Sequence, residues 1–363
     1  MRVLVDRIEV AAYTVPTDAP EADGTLEWGA TTIVVVHAHG GGVTGLGYTY
    51  ADPSTATLIA TKLAGVVQGR DAAAPRASWA AMVRATRNLG RPGITSMAIS
   101  AVDVALWDLH ARLLDAPLAQ LLGVAQDHVP VYGSGGFTSY SDDRLQEQLA
   151  SWVSQGIPRV KMKVGTEPGR DPDRVRAARE AIGPDPELFV DANGAYARKQ
   201  ALALAGTFHE QAGVSWFEEP VSSDDLSGLR LLRDRAPAGM DVAAGEYGYD
   251  AVYFERMLDA GAVDVLQADV TRCGGVTELL RVDGICRAHN LPLSLHCGPA
   301  IHVPAAAALQ QLRHLEYFHD HVRIEEMLFD GLSELRDGSL WPELDRPGLG
   351  LELKRADAEP YAA

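Results

Sequence analysis

The chain has 363 residues, 47% hydrophobic and 22% charged, a globular composition at a length that suits about two domains. Its 49 acidic residues outnumber 32 basic ones, and the formal charge of −17 argues against nucleic acid or an anionic membrane surface as partner. An anionic small molecule remains compatible, because a metal ion reverses the local field inside a pocket. Asp6, Arg7 and Glu9 interrupt the apolar run that a signal peptide needs, and no stretch has the length of a membrane span. Cys273, Cys286 and Cys297 have no metal or redox spacing and read as reduced thiols of a cytoplasmic protein.

Residues 1–50 read as β: RVLVDRIEVAAYTV, then TTIVVVHAHG, then a Gly-spaced run ending GLGYTY. The Pro-, Gly- and acid-rich stretch PTDAPEADGTLEWG between the first two reads as a long loop. Ile99, Val102, Leu106, Leu109 and Leu113 recur at steps of three and four, one face of a helix. Residues 1–125 thus form a small α+β domain, which the C-terminal stretch 335–363 is expected to complete.

From Val129 the texture changes. Eight short apolar runs, at 129–136, 159–165, 187–194, 214–220, 241–246, 263–269, 292–297 and 314–318, alternate with helical segments. Alternation implies parallel strands, and eight units over 126–334 are the count of a closed barrel. An open doubly wound sheet is the structural alternative.

The polar residues ending these runs are Lys161 and Lys163, Asp191 and Asn193, Glu218 and Glu219, Glu246, Asp269, His296 and Glu316. Seven successive strands therefore carry an ionisable group toward one mouth of the barrel, where barrel enzymes keep their active sites. Alternation points Lys161 together with Lys163, and Asp191 with Asn193, while Glu219 and Cys297 should face away. Asp191, Glu218 and Glu246 offer three carboxylates without thiolate or imidazole, a ligand set for Mg²⁺.

VKMKVG, DANGAY, WFEEP, AAGE, QADVTRCGG and the strand ending in His296 resemble the enolase superfamily, specifically its mandelate racemase subgroup. AVDVALWDLHARLLDAPLAQLLG resembles that family's helix leading into the barrel. The resemblance spans nearly the whole chain. It implies a modified TIM barrel, (β/α)₇β, under an N-terminal α+β capping domain, with Mg²⁺ on Asp191, Glu218 and Glu246. It also implies Lys163 as base on one face of the substrate and His296, paired with Asp269, as acid/base on the other. Glu316 would hydrogen-bond the substrate carboxylate or the developing enediolate. Lys161 and the cation should lower the pKa of Lys163 by like-charge repulsion.

Asp269 stands where cycloisomerase-like and dipeptide-epimerase relatives carry lysine, and a Lys facing a His–Asp dyad fits racemases and acid-sugar dehydratases. The expected reaction is dehydration of an acid sugar to a 2-keto-3-deoxy acid, with racemisation or epimerisation of a 2-hydroxy acid as the rival. A barrel that binds metal without catalysis is a third reading, and no base or ligand is missing to support it. Trp28, Tyr48 and Tyr50 lie in or beside the loops at 16–30 and 45–52, which are expected to close over the substrate; Trp28, Tyr48, Asn193 and His319 are candidate contacts, with His321 an alternative. His37 and His39 share a strand face without an acid or Cys cluster and read as structural. Relatives of this kind form homo-oligomers from dimers to octamers, and the same is expected here.

Overall fold

The computed structural model describes residues 2–363. Three antiparallel strands, β1 (Arg7–Ala22), β2 (Glu27–Gly40) and β3 (Val43–Tyr50), form the cap sheet in the order β1-β2-β3. The stretch expected as a long loop is instead the far end of a hairpin. Pairing is lost between Pro16 and Glu21, then resumes as Glu21 meets Trp28 and Ala22 meets Glu27. The prolines fall where the ladder is irregular, which suits residues without an N–H.

Helix Ile94–Leu113 packs on β3. A Cβ at Gly45 or Gly47 would lie 2.3 Å from the carbonyl oxygens of Ala105 or Ala101, so only glycine lets strand and helix backbones approach this closely. The apolar face read from the sequence is buried here, with Ile99, Val102, Leu106 and Leu109 in the cap core. The opposite side is buried too: Val104, Trp107 and Ala111 join the barrel's core. Asp103 explains how a charged residue sits there, since it accepts from Thr277 N at 2.9 Å and Thr277 Oγ1 at 2.7 Å on a barrel helix. Trp107 and Trp79 donate to Thr277 Oγ1 and the Gly274 carbonyl at 2.9 and 2.8 Å. These bonds fix the cap against the barrel.

The eight runs form eight parallel strands: β4 (Val129–Gly135), β5 (Arg159–Lys163), β6 (Glu187–Asp191), β7 (Val214–Glu218), β8 (Asp241–Ala244), β9 (Val265–Ala268), β10 (Leu293–Leu295) and β11 (Leu312–Phe318). β11 pairs in parallel with β4, which closes the barrel. Alternation sorts the side chains. Val160, Met162, Leu188, Val190, Phe217, Val242, Leu266 and Leu295 pack outward under the helices, whereas Tyr132, Phe189 and Trp216 fill the interior as a packed layer. That aromatic floor supports the polar residues nearer the mouth.

The C-terminal stretch is shared between the two parts. A hairpin of β13 (Glu334–Arg336) and β14 (Ser339–Trp341) extends the barrel sheet at β4, and Glu352–Leu353 (β15) pairs with Phe329–Asp330 (β12). The stretch running into β15 and the last residues reach the cap domain: Arg112 donates to Glu352 and to the Leu351 carbonyl at 2.6 and 2.7 Å, Leu349 N donates to Asp108 at 2.5 Å, and Ala363 N donates to Ala12 O at 3.0 Å. Among the described residues no helix is long and apolar enough to cross a membrane.

Candidate active site

The cap hairpin is seated on the barrel mouth. Thr138 N and Oγ1 donate to the carbonyls of Ala22 and Asp23 at 2.8 Å, and Thr166 Oγ1 also donates to Asp23 O at 2.8 Å. Beneath it lies a cavity of about 420 Å³, lined from the cap by Asp23, Leu26, Trp28, Thr31, Thr32, Tyr50 and Asp52. The barrel contributes Lys163, Asn193, Glu246, Tyr247, Arg272, His296, Cys297, Phe318 and His321. A larger hollow of about 650 Å³ near Arg170 and Arg174 brings together no comparable set of groups.

Buried at the cavity, single oxygens of Asp191, Glu218 and Glu246 come within 4.8 Å of one another. Glu246 Oε2 has no hydrogen-bond partner within the protein. Three buried carboxylates, one with an idle oxygen, fit a hard divalent cation. The two lysines counter the same charge. Lys163 Nζ lies 2.5 Å from Asp191 Oδ2, while Lys161 Nζ lies 2.6 Å from Glu218, 2.8 Å from Glu316 and 3.4 Å from Asp191.

Without the cation, the shift of Lys163 runs the other way from that expected with it. Burial pulls its ammonium down, but the adjoining Asp191 carboxylate outweighs both that and repulsion from Lys161, so the side chains by themselves hold it above the ordinary lysine value. Burial alone would raise the Glu218 carboxyl, and repulsion from Asp191 adds to this, giving about 8.

On the other side, His296 Nδ1 lies 2.9 Å from Asp269 Oδ2. Burial opposes ionisation of Asp269, yet its bond to His296 and the nearby imidazole and guanidinium charges hold it well below the usual range. The ionised carboxylate keeps the Nδ1 proton in place and leaves Nε2 for the cavity, 3.4 Å from Glu246 Oε2.

Several side chains stand differently from expectation. Cys297 does not face away: its φ of 52° breaks strand alternation and sets Sγ 3.2 Å from His296 Nε2, on the cavity wall. Burial and repulsion from Glu316 push its thiol well up, so it is protonated. Glu219 also leaves the extended conformation, with φ of 38°. It is buried, and desolvation together with Glu246, Asp191 and Glu218 pushes its carboxyl well up. Asn193 takes φ of 46°, with its N–H on Asp191 Oδ1 at 2.9 Å, and still lines the cavity.

Glu316 lies below the cavity. It accepts from Ser134 Oγ at 2.5 Å, from Lys161, and from Cys297 N at 3.1 Å. Burial disfavours its charge, but Lys161 keeps it ionised, so in this arrangement it can only accept. Lys161 is likewise fully buried. Tyr48, expected at the substrate, lies within β3, where its hydroxyl donates to Glu325 at 2.6 Å and its ring stacks on Phe329. Tyr50, two residues nearer the mouth, lines the cavity in its place. His319 turns outward to Asp18 at 3.2 Å, while His321, stacked on Tyr50, is the histidine of that pair on the wall.

Sequence reasoning passed over Tyr247 and Arg272. The first directly follows Glu246, and the second stands in QADVTRCGG three residues beyond Asp269. Arg272 lies 3.5 Å from Glu246 and 3.6 Å from Asp269.

Comparison with known families agrees with this geometry. Residues 7–123 match the mandelate racemase / muconate lactonizing enzyme N-terminal domain, and residues 144–358 match the enolase C-terminal domain-like family. The chain belongs to the mandelate racemase / muconate lactonizing enzyme family. Within that family it is 32% identical over 318 residues to an L-talarate/galactarate dehydratase of Salmonella typhimurium, covering 86% of this chain and 78% of the relative. The fold superimposes on a mandelate racemase/muconate lactonizing enzyme-like protein from Rubrobacter xylanophilus with a TM-score of 0.97 and 62% identity, over 99% of this chain and 100% of that one. It also superimposes on a racemase from Streptomyces coelicolor A3(2) with bound magnesium, with a TM-score of 0.93 and 29% identity over 99% and 100% of the two chains.

Proposed function

We propose that this chain is a Mg²⁺-dependent acid-sugar dehydratase. It removes the proton alpha to the carboxylate of a polyhydroxy acid and expels the β-hydroxyl as water, giving a 2-keto-3-deoxy acid. The observation that carries this reading is one cavity presenting Lys163 from β5 and a His296–Asp269 pair from the β9 and β10 ends, beside three converging carboxylates. Bound by Asp191, Glu218 and Glu246, Mg²⁺ would supply positive charge to the substrate carboxylate as the enediolate develops, and would take up the Asp191 charge that otherwise stabilises the Lys163 ammonium.

The protein's own groups supply the proton transfers. Neutral Lys163 accepts the alpha proton, with Lys161 behind it disfavouring a second ammonium. The C–H electron pair passes through the enediolate into a Cα–Cβ double bond as the Cβ–O bond breaks. Burial disfavours the charged form of His296, but Glu246 and the bond to Asp269 raise its pKa, and it enters the step as the imidazolium held by Asp269. It delivers its Nε2 proton to the departing hydroxide, and the enol then tautomerises to the keto acid. General-acid help of this kind is worth about 10²–10⁴-fold. Glu316 acts as a positioning residue, orienting Lys161 and the Cys297 backbone. Trp28, beside Phe137 at the hairpin, and Asn193 shape the substrate pocket.

A racemase is the second reading, favoured by the same pair of groups and by the similarity to the Streptomyces coelicolor racemase. Incubation of the Mg²⁺-loaded protein with a library of aldonic and aldaric acids, assayed for 2-keto acid, tests the proposal. Keto acid supports dehydration, an epimerised acid without keto product supports the second reading, and no reaction with any acid sugar refutes the dehydratase reading.

A further inference from the structure

One segment of the cap carries charge of a single sign. From Ile8 to Thr61 the sequence contains no lysine or arginine but six acids, namely Glu9, Asp18, Glu21, Asp23, Glu27 and Asp52. This segment supplies the whole cap side of the candidate cavity, where Asp23 and Asp52 line the wall among Leu26, Trp28, Thr31 and Thr32. The cavity's only lysine and arginine are Lys163 and Arg272, both from the barrel. Lys163 is paired with Asp191, and Arg272 lies within 3.6 Å of both Glu246 and Asp269, so both belong to the end where the reacting carboxylate binds.

Cations nearest the hairpin are committed elsewhere and do not line the cavity. Arg144 pairs with Asp18 at 3.3 Å, and Arg323 binds Asp320 at 2.6 Å and the Pro16 carbonyl at 2.7 Å. The cap-side hydroxyls are also engaged: Thr31 Oγ1 donates to Asp320 at 2.5 Å, and Thr32 Oγ1 lies 2.8 Å from Thr14 Oγ1. A second carboxylate at the far end of a substrate would therefore meet two acids and no counter-charge.

We infer that the substrate ends in a neutral group at the cap side, which makes it a monocarboxylic, aldonate-type acid, and that Asp23 and Asp52 reject the matching dicarboxylate. This rests on the acid-sugar reading above and narrows it. Selection works by repulsion, which discriminates as effectively as a new contact. Each acid also has a local role that asparagine keeps: Asp23 Oδ1 accepts from Thr25 N and Leu26 N at 2.6 and 2.8 Å, and Asp52 Oδ1 accepts from Ser54 N at 2.8 Å.

Pairs that differ only at the terminal carbon isolate the effect: gluconate against glucarate, and galactonate against galactarate. For whichever stereochemical series is accepted, kcat/KM and calorimetric affinity of the Mg²⁺-loaded protein should favour the monoacid by about tenfold or more at low salt. The preference should shrink as sodium chloride screens the wall, and the double variant Asp23→Asn, Asp52→Asn should narrow it severalfold. Equal or better use of the diacid, or a ratio unmoved by both salt and the double variant, would overturn the inference. If no pair gives keto acid or alpha-proton exchange, the dehydratase reading fails instead, while the calorimetric ratio still decides the charge preference.

Discussion

His296 and Asp269 leave neighbouring strand ends and meet at 2.9 Å, with His302 packed 3.8 Å from the second Asp269 oxygen. Asp269 Oδ1 also accepts from Thr271 N at 2.6 Å, so both carboxylate oxygens are fixed before any substrate arrives. Asp269→Asn would keep the shape but lose the charge that secures the Nδ1 proton. Steps that need His296 should slow by about 10²–10⁴-fold, while alpha-proton exchange driven by Lys163 persists. Equal loss of both activities, measured by NMR in D₂O, would show that Asp269 serves the fold alone.

The converging acids set a binding prediction independent of turnover. Mg²⁺ at 100-fold over its Kd should stabilise the folded chain by about 2.7 kcal/mol, visible as a rise in Tm that chelation reverses. Glu246→Gln should remove most of that rise, because Glu246 carries the unpartnered oxygen and makes no ion pair with either lysine. An unchanged Mg²⁺ response in this variant would place the ion elsewhere.

Trp28 and Tyr48 should now separate. Trp28 lines the cavity edge-on to Phe137, at 5.6 Å between ring centroids, and donates to Glu21 at 2.9 Å. Trp28→Ala should change KM or the preferred acid more than stability. Tyr48→Phe deletes a buried bond to Glu325 and should cost about 1–3 kcal/mol of stability with little change in substrate choice. Denaturation curves beside kinetics on both variants check the contrast, and the reverse pattern would return Tyr48 to the substrate.

Glu325 gives a pH prediction. Burial raises its carboxyl from the ordinary 4.5 to about 8, although hydrogen bonds from Tyr48 and Ala300 N work the other way. A raised folded value means that the stability contributed by the neutral carboxyl is complete below pH 4.5 and is lost as pH climbs through 8. Wild-type Tm should therefore fall between those limits, by the equivalent of a few kcal/mol at most, since each tenfold change in proton affinity is worth roughly 1.4 kcal/mol. Glu325→Gln should flatten that part of the profile. Parallel profiles for the two proteins would mean that Glu325 is charged in the fold.

The strands and the ionisable strand ends were legible because a parallel barrel repeats one pattern: outward apolar residues under helices and a polar group at each C-terminal end. The closing pair of β11 with β4 follows from the same repeat. What alternation misplaced was Cys297, just past a strand where backbone φ turns positive, at 52°, and the period of two no longer holds. The cap hairpin escaped because composition marked Pro16–Gly29 as loop, whereas pairing across Glu21 and Trp28 resumes beyond the irregularity. Which of His319 and His321 faces the cavity depends on the helix His319–Leu328 beginning at that point, a boundary that FHDH does not announce.

The central claim is that Lys163 and His296 act on opposite faces of one alpha carbon, from strands β5 and β10 with four strands between them. Solvent deuterium incorporation at that carbon, followed by NMR for Lys163→Ala and His296→Asn, tests it most directly. Lys163→Ala should stop exchange from one configuration and leave it available to the other, whereas His296→Asn should keep slow exchange on the Lys163 face while losing keto-acid formation. Full turnover of the true substrate by both single variants would contradict the account.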